Sequence, residues 1–264
     1  MGVFYETIPT SLLPWIKQQQ MLWVGTAPLA GHGHINVSPK GGQNFGMIDE
    51  RTFWYMDLTG SGIETHAHLH EPGNGRICVL FMAFAGPPRI VRIWGHGRPL
   101  EYGTPEFDTF VAHHKVPLVP GSRSIILVDV HQCATSCGFS VPYYDFKGHR
   151  HTLNEHFRKK DEKFRQGQEK ESIDYYWAWK SQLSMDGLPG MKRAYEFASR
   201  KGVQPLKKMV GPFAPENTRQ RHGNREPVHL LWVLLVGVVM GGAMALSLVT
   251  PERLQTLQDK ARWI

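Results

Sequence analysis

The sequence predicts a mainly β domain of the α+β class, built as an antiparallel barrel or sandwich and followed by helices. Between about residues 20 and 145, short apolar or alternating runs recur at close spacing with only brief helices between them, which favours an antiparallel architecture. After about residue 148, apolar residues recur at roughly helical spacing among many charged ones, which predicts helices with a solvated face. Near the C-terminal end, a continuous apolar stretch covers residues 228–249.

Two kinds of pattern indicate the strands. Continuous apolar runs are typical of strands buried on both faces, whereas alternating apolar and polar residues are typical of strands buried on one face. The predicted strands cover residues 21–27, 35–40, 52–58, 76–84, 89–101 and 124–133.

Changes in composition divide the chain into predicted parts. Strand-type patterns give way to helical ones near residue 148, and the chain becomes polar and rich in arginine near residue 213. The parts are a barrel domain at 1–147, a helical extension at 148–212, a polar linker at 213–227, a transmembrane helix at 228–249 and a short tail at 250–264.

The apolar stretch 228–249 predicts a membrane-spanning helix. Its 22 residues include one ionisable side chain, His229, and as a helix they extend for about 33 Å, close to the thickness of a bilayer hydrocarbon core. Pro227 and Pro251 flank the stretch, which disfavours the alternative of a buried core helix. More lysines and arginines precede it than follow it, which places the N-terminal domain in the cytosol. The sequence therefore predicts a single-pass C-terminal membrane anchor.

The charge and the cysteine content disfavour nucleic-acid binding and a disulfide framework. The 264 residues carry a net charge of +7, but the basic residues are scattered along the chain, so we expect no nucleic-acid partner. Three cysteines are too few for a disulfide framework, which favours reduced thiols.

A glycine turn after the strand 52–58 is a candidate anion site. The turn, TGSG, runs directly into a short predicted helix, so free backbone N–H groups and the positive end of the helix dipole suit a phosphate. Thr59 and Ser61 add hydroxyl groups. On the predicted strand 35–40, Ser38 and Lys40 share a face, and Lys40 supplies a positive charge. The alternative is an ordinary capped turn beside a surface lysine.

Three histidines follow the same turn at every second position. His66 and His70 lie one helical turn apart, which is a spacing suited to metal ligands, but His68 points to the opposite side. The chain has no HExxH or CxxC motif to complete a zinc site. We therefore interpret the histidines as polar residues of the helix and expect no metal site.

Several ordered motifs resemble one known family. They are INVSPKG, TFWYMDLTGSGIETHAHL, NGRICVLFMAFAGPPRIVRIWGHGR and SCGFSVPYYDF, and they resemble the pyridoxamine 5′-phosphate oxidase-like family of FMN-binding split β-barrels. The resemblance covers roughly residues 1–190. It implies a six-stranded antiparallel split β-barrel that forms a homodimer with FMN at the subunit interface.

The resemblance also implies the residues that contact FMN. The strand that carries Lys40 runs beside the flavin, the glycine turn and the helix start hold the phosphate, and a later strand contributes across the dimer. The implied cofactor-binding residues are Val37, Ser38, Lys40, Thr59, Gly60, Ser61, Gly62, Glu64, Thr65, Arg92 and Trp94.

Two departures from the family pattern bear on the substrate. The predicted strand 21–27 lacks the arginine and lysine pair with which true pyridoxamine phosphate oxidases hold the FMN phosphate, and their C-terminal arginine and histidine motif has no clear counterpart. We therefore do not expect vitamin B6 phosphate to be the substrate.

The function expected from the sequence is that of a membrane-anchored, FMN-dependent oxidoreductase with a small-molecule redox substrate. No catalytic acid or base is identified. The alternative is a non-catalytic flavin-binding or scaffold protein held at a membrane. A metal-dependent hydrolase that uses the histidines is disfavoured.

Overall fold

The computed structural model describes residues 2–212, 214–215, 237–241 and 255. Contacts divide the chain into two units, Met1–Met209 and Val210–Ile264. The first unit holds the sheet and the helices that follow it, whereas the described part of the second unit includes a helical segment at 237–241.

The first unit is built on one antiparallel sheet, whose described strands number eight. Their order is β3-β2-β6-β7-β8-β5-β4, and β1 pairs with β8. The strands are β1 (Val3–Tyr5), β2 (Met21–Thr26), β3 (Asn36–Gly41), β4 (Phe45–Met47), β5 (Thr52–Leu58), β6 (Arg76–Met82), β7 (Ile90–Glu101) and β8 (Ser122–Ser136). The predicted mainly β fold of the split-barrel type is confirmed, but the sheet has eight described strands where the family resemblance implies six. The additional strands β1 and β4 have three residues each, which is too short for a recognisable pattern.

Helices lie between the strands and after them. They are α1 (Leu13–Lys17), α2 (Glu64–His70), α3 (Pro105–His114), α4 (Thr152–Arg165), α5 (Ile173–Lys180) and α6 (Lys192–Lys201). The predicted helix after the glycine turn is α2, and α4 to α6 form the helical extension. Two starts are capped by side chains, because the hydroxyl of Thr104 accepts a hydrogen bond from Phe107 N–H and that of Ser172 from Tyr175 N–H.

The interior of the sheet is filled largely by aromatic and branched side chains. Phe53 and Phe81 are fully buried, and their rings meet edge to face with centroids 6.0 Å apart. A second cluster, which includes Phe107 and Ile125, lies between α3 and the sheet. Because these faces are buried, the strands carry apolar residues either at alternate positions or in continuous runs, as the sequence predicts.

The helical extension packs on the start of α2. Ile63 lies immediately before α2 and forms a buried cluster with Trp177 of α5 and with Met191 and Ala194 at the start of α6. The extension therefore reaches the glycine turn that precedes Ile63, which places it beside the candidate anion site.

The predicted transmembrane helix is corrected by the structure. Within the part of the chain that is described, no helix is long and apolar enough to cross a membrane. The longest, α4, has 14 residues, about 21 Å of helix, and it is rich in charge. Of the predicted span 228–249 only 237–241 fall among the described residues, and the predicted linker and tail lie outside them except for 214–215 and 255. The prediction of a single-pass anchor, and the membrane localisation that followed from it, do not stand.

The backbones of β7 and β8 approach each other closely at Gly95, so a substitution there tests the pairing of these two strands. The pairing of β7 with β8 shifts register between Trp94 and Gly95. A Cβ at Gly95 would clash with the carbonyl oxygen of Asp129 and lie 2.6 Å from Cγ1 of Val128. We expect Gly95→Ala to lower the free energy of unfolding by about 1–3 kcal/mol through overpacking, as measured by urea denaturation.

The matched control for this variant is Gly41→Ala. A Cβ at Gly41, at the end of the edge strand β3, would meet no described atom within 4 Å. Equal stability of the two variants would contradict the close approach at Gly95.

Candidate functional site

The glycine turn, residues 59–62, connects β5 to α2. Thr59 is buried, its N–H donates to Gly121 O at 2.7 Å, and its Oγ1 accepts from Trp177 Nε1 at 2.9 Å. Gly60 has no described atom within 4 Å of a Cβ position, and Ser61 and Gly62 are exposed. The turn is therefore anchored at Thr59, and residues 60–62 are at least partly accessible to an anion.

Side chains of the edge strand β3 reach across to β5 and α2. Lys40 Nζ donates to Asp57 Oδ1 at 2.8 Å, and Asn36 Nδ2 donates to Thr65 Oγ1 at 3.1 Å. Ser38 lies between them and donates to Asn36 Oδ1 at 3.2 Å. The structure thus brings Lys40, Ser38 and Thr65 to the end of β5 that leads into the turn.

Val37 lies on the other face of β3. Its side chain is 64% exposed, because successive residues of a strand point to opposite sides. A contact of Val37 with a cofactor stays a prediction.

Asp57 binds two cations just before the turn. Its Oδ2 accepts from Arg123 Nε at 2.8 Å and lies 2.6 Å from Arg123 Nη2, while Oδ1 accepts from Lys40. Burial opposes ionisation of Asp57, but Arg123 and then Lys40 outweigh it and hold its pKa well below the usual range. Arg123 Nη1 also donates to Gly62 O at 2.9 Å. Arg123 therefore links the ionised Asp57 to the turn itself.

Glu64 and Lys208 meet at the start of α2. Glu64 Oε2 accepts from Ile63 N–H at 2.9 Å, and Oε1 accepts from Met185 N–H at 3.2 Å. Lys208 Nζ lies 3.6 Å from Glu64 Oε1 and finds no hydrogen-bond partner among the described residues. Burial lowers the pKa of Lys208, against the opposing effect of Glu64. Glu64 therefore points toward the extension, with a buried ammonium group beside it.

Arg92 and Trp94 lie on β7, away from the turn along the sheet. Arg92 Nη1 donates to Ser136 Oγ at 3.3 Å, and the Trp94 ring stacks on Phe4 with centroids 6.2 Å apart. These contacts are with β8 and β1. Their implied role across a dimer stays a prediction.

The histidines of α2 divide between two sides, as the helical spacing predicts. His66 Nε2 is hydrogen-bonded to Ser124 Oγ at 2.7 Å and His70 Nε2 to Glu101 Oε1 at 3.2 Å. His68 Nδ1 instead is hydrogen-bonded to Thr26 Oγ1 at 2.9 Å. Burial lowers the pKa values of His66 and His68.

Two cations of the site were missed by sequence reasoning. Arg123 directly precedes the predicted strand 124–133, and a single arginine before a long apolar run is a recognisable signal. Lys208 lies in a segment without periodic pattern after α6, and no local signal indicates its position.

Sequence comparison relates the chain to one curated protein. The pyridoxamine 5′-phosphate oxidase family protein ustO of Aspergillus flavus is 36% identical over 203 residues, which are 74% of this chain and 80% of that protein. No protein-family model matches the chain.

Structure comparison finds more distant likenesses. HupZ from Group A Streptococcus matches at 18% identity and a TM-score of 0.36, over 47% of this chain and 89% of that one. A putative pyridoxamine 5′-phosphate oxidase from Lactobacillus delbrueckii matches at 14% identity and 0.37, over 49% and 94%. The heme storage protein HutZ of Vibrio cholerae matches at 12% identity and 0.34, over 48% and 97%. TM-scores this low carry no assignment of ligand or activity.

Proposed function

The chain belongs to the pyridoxamine 5′-phosphate oxidase family, and on this premise we propose that it binds FMN beside the turn 59–62 and acts as a flavin-dependent oxidoreductase. The observation that carries the proposal is the convergence of Lys40 and Arg123 on the end of β5, next to an accessible glycine turn. When bound, the flavin supplies a hydride acceptor at N5 that O₂ or another acceptor reoxidises.

The donors around the turn fit a phosphate monoester. Such a group is bound by cations together with N–H and O–H donors. Residues 60–62 offer accessible backbone and the Ser61 hydroxyl, and Lys40, with 22% of its side chain exposed, binds Asp57 at the end of β5 that leads into the turn. Lys40 and Arg123 carry two positive charges against the single negative charge of Asp57. The Asp57 group thus keeps one net positive charge for an anion.

For Glu64 we propose a part in this site different from the one that the family resemblance implies. Its carboxylate accepts hydrogen bonds at the start of α2, where a phosphate would also accept, and two anions in one place repel each other. Lys208, 3.6 Å from Glu64, offsets that charge. We assign Glu64 to holding the extension, and the phosphate to the Lys40 and Ser61 side of the turn.

The polar side of β3 suits the remainder of the cofactor. Asn36 and Ser38 lie on the same side of β3 as Lys40 and are partly exposed, so a flavin whose phosphate is at Lys40 runs along them. The substrate class proposed is a small redox molecule that stacks on the flavin. We also propose a homodimer, in which Arg92 and Trp94 act across the interface.

A non-catalytic flavin-binding protein is the second candidate function. Titratable side chains near the turn are committed to one another, Asp57 to Arg123 and Lys40 and Glu64 to Lys208. Such pairs hold a cofactor without offering a proton donor or acceptor to a substrate. Anaerobic mixing of the FMN-loaded chain with NADH, NADPH and pyridoxamine 5′-phosphate separates the two candidates. Bleaching of the flavin absorbance supports the oxidoreductase, and no bleaching by any of the three supports the second candidate.

We expect Lys40→Ala to weaken FMN binding about tenfold to a hundredfold, because a hydrogen bond to a charged group contributes about 1.5–3 kcal/mol. Ser61→Ala removes an exposed hydroxyl and should weaken binding less. Titration of the full chain into FMN, followed by quenching of flavin fluorescence, measures both dissociation constants.

The control is Lys159→Ala, which removes an exposed lysine of α4 and should leave FMN affinity unchanged. Of the two site variants, Ser61→Ala leaves the Asp57 contacts intact. Unchanged affinity in both site variants would move the phosphate elsewhere. A chain that binds no FMN would overturn the proposed function.

A further inference from the structure

A row of buried polar side chains crosses the sheet beneath α2. The strand register places Asp57 of β5 opposite Ser124 of β8, and Ser124 opposite Glu101 of β7. Directly opposed residues share one face of a sheet. All three are buried, at 0%, 0% and 5% exposure. Hydrogen bonds from this row to His66 and His70 place two histidines of α2 over it.

We infer that His66, His70 and Glu101 form a binding site for a divalent transition-metal cation of the zinc class. Each residue offers one ligand atom, and these atoms lie within 4.8 Å of one another. Two imidazoles one helical turn apart and one carboxylate are a ligand set that suits zinc. His66, His70 and Glu101 are not among the residues proposed to bind FMN, so the inference does not depend on FMN binding.

The side chains around His66 determine which of its ring nitrogens can bind a metal. Its Nε2 lies 2.7 Å from Ser124 Oγ and 3.5 Å from Asp57 Oδ2. The Asp57 carboxylate, paired with Arg123, can only accept hydrogen bonds, which favours the tautomer with its proton on Nε2. A carboxylate in this position orients metal-binding histidines in known sites.

The other nitrogen of His66 is then the one available to a cation. Nδ1 is buried and has no hydrogen-bond partner among the described residues, in a side chain that is 0% exposed. Buried polar atoms nearly always have a bonding partner. If His66 only packed in the core, its Nδ1 atom would have none. A metal ion bonded to Nδ1 supplies that partner.

Glu101 is held in place by the start of α6. Its Oε1 accepts from Lys192 N–H at 3.0 Å, and its Oε2 from Arg193 N–H at 3.2 Å. Each carboxylate oxygen has a second lone pair, so these two bonds persist when a metal binds. The bond between His70 and Glu101, at 3.2 Å, is the one that the cation replaces.

A cleft connects the site to solvent. His70 and Glu101 line a cavity of about 640 Å³, and 21% of the His70 side chain is exposed. The other charged residues of its lining are the acidic Glu106, Asp174 and Glu196 and the basic Arg98, Lys192, Arg193 and Arg200. A cation enters from this side, and water completes its coordination. Three protein ligands with an open position distinguish such a site from a closed structural one.

The test uses the full chain, stripped with chelator and titrated with Zn²⁺ in a calorimeter. We expect one ion per chain, and at least tenfold weaker binding in Glu101→Gln and in His70→Ala. Cobalt supplied instead of zinc should give visible absorption that both variants lose. His149→Ala, which removes an exposed histidine between β8 and α4, is the control and should bind as the unmodified chain does.

Glu101→Gln keeps the shape of the side chain and one of its two acceptor oxygens, so it is the first variant to measure, and circular dichroism verifies that it folds. Zn²⁺ should raise the melting temperature of the unmodified chain and not that of the variant. Absence of stoichiometric binding would overturn the inference, as would equal affinity in the unmodified chain and Glu101→Gln.

Discussion

Arg123→Ala is expected to lower the free energy of unfolding by about 3–5 kcal/mol, because it leaves a buried carboxylate without its main cation. The guanidinium makes contacts of 2.8 and 2.6 Å to Asp57 Oδ2, and the two side chains are 4% and 1% exposed. Lys40 then remains as the single cation on Asp57. The bond from Arg123 Nη1 to Gly62 O is also lost, so FMN affinity should fall with stability. Urea denaturation measures the first effect and flavin fluorescence the second.

Two further variants identify the cause of that loss. Arg158→Ala breaks an ion pair on α4 whose partners are 58% and 53% exposed, and exposed pairs of this spacing contribute only about 0.3–0.5 kcal/mol. Asp57→Asn in the Arg123→Ala background removes the carboxylate charge that has lost its main cation, and should recover part of the stability. A loss in Arg123→Ala no larger than that in Arg158→Ala would show that the buried pair is not the source.

The fold was largely predictable because its signals are local. Alternation in 35–40 and a continuous apolar run in 76–84 correspond to the half-exposed edge strand β3 and the central strand β6. The glycine turn between a strand and a short helix was also predictable, since glycines, strand and helix follow each other directly in sequence. These elements depend on neighbouring residues, which is the range over which periodicity acts.

The contacts that complete the site depend on register and packing instead. Arg123 and Asp57 are 66 residues apart in sequence, and Trp177 and Thr59 are 118 apart. Glu101 joins the histidines of α2 because β5, β8 and β7 align Asp57, Ser124 and Glu101 in one row. Sequence spacing paired His66 with His70 but does not contain that alignment, so the third ligand was not recognised.

The membrane prediction shows a different limit. Hydropathy in the stretch 228–249 reports a preference for leaving water, and it does not specify whether lipid or protein covers the residues. No helix in the described ranges has the length and apolar character of a span. The function proposed for the barrel does not depend on residues 228–249.

Trp177→Ala is expected to lower the free energy of unfolding by about 3–5 kcal/mol, as removal of a large buried aromatic side chain does. Trp177 is 0% exposed, and it packs with Ile63, Met191 and Ala194. Its Nε1 also donates to the buried Thr59 at 2.9 Å. The variant therefore removes both the packing of the extension on the barrel and a hydrogen bond to the turn. Thermal and urea denaturation measure the loss.

Companion variants separate packing from hydrogen bonding at this position. Trp177→Phe keeps most of the aromatic volume and loses the bond to Thr59, so it should cost only about 0.5–1.5 kcal/mol from that bond, plus the smaller volume. Trp179→Ala, on the same helix but 42% exposed, should change stability little. If Trp177→Ala resembled Trp179→Ala, the extension would not be part of the folded core. If the large loss occurs in one cooperative transition, the extension and barrel fold as a unit, and Thr59 of the proposed FMN site is then held in place by a residue 118 positions later in the chain.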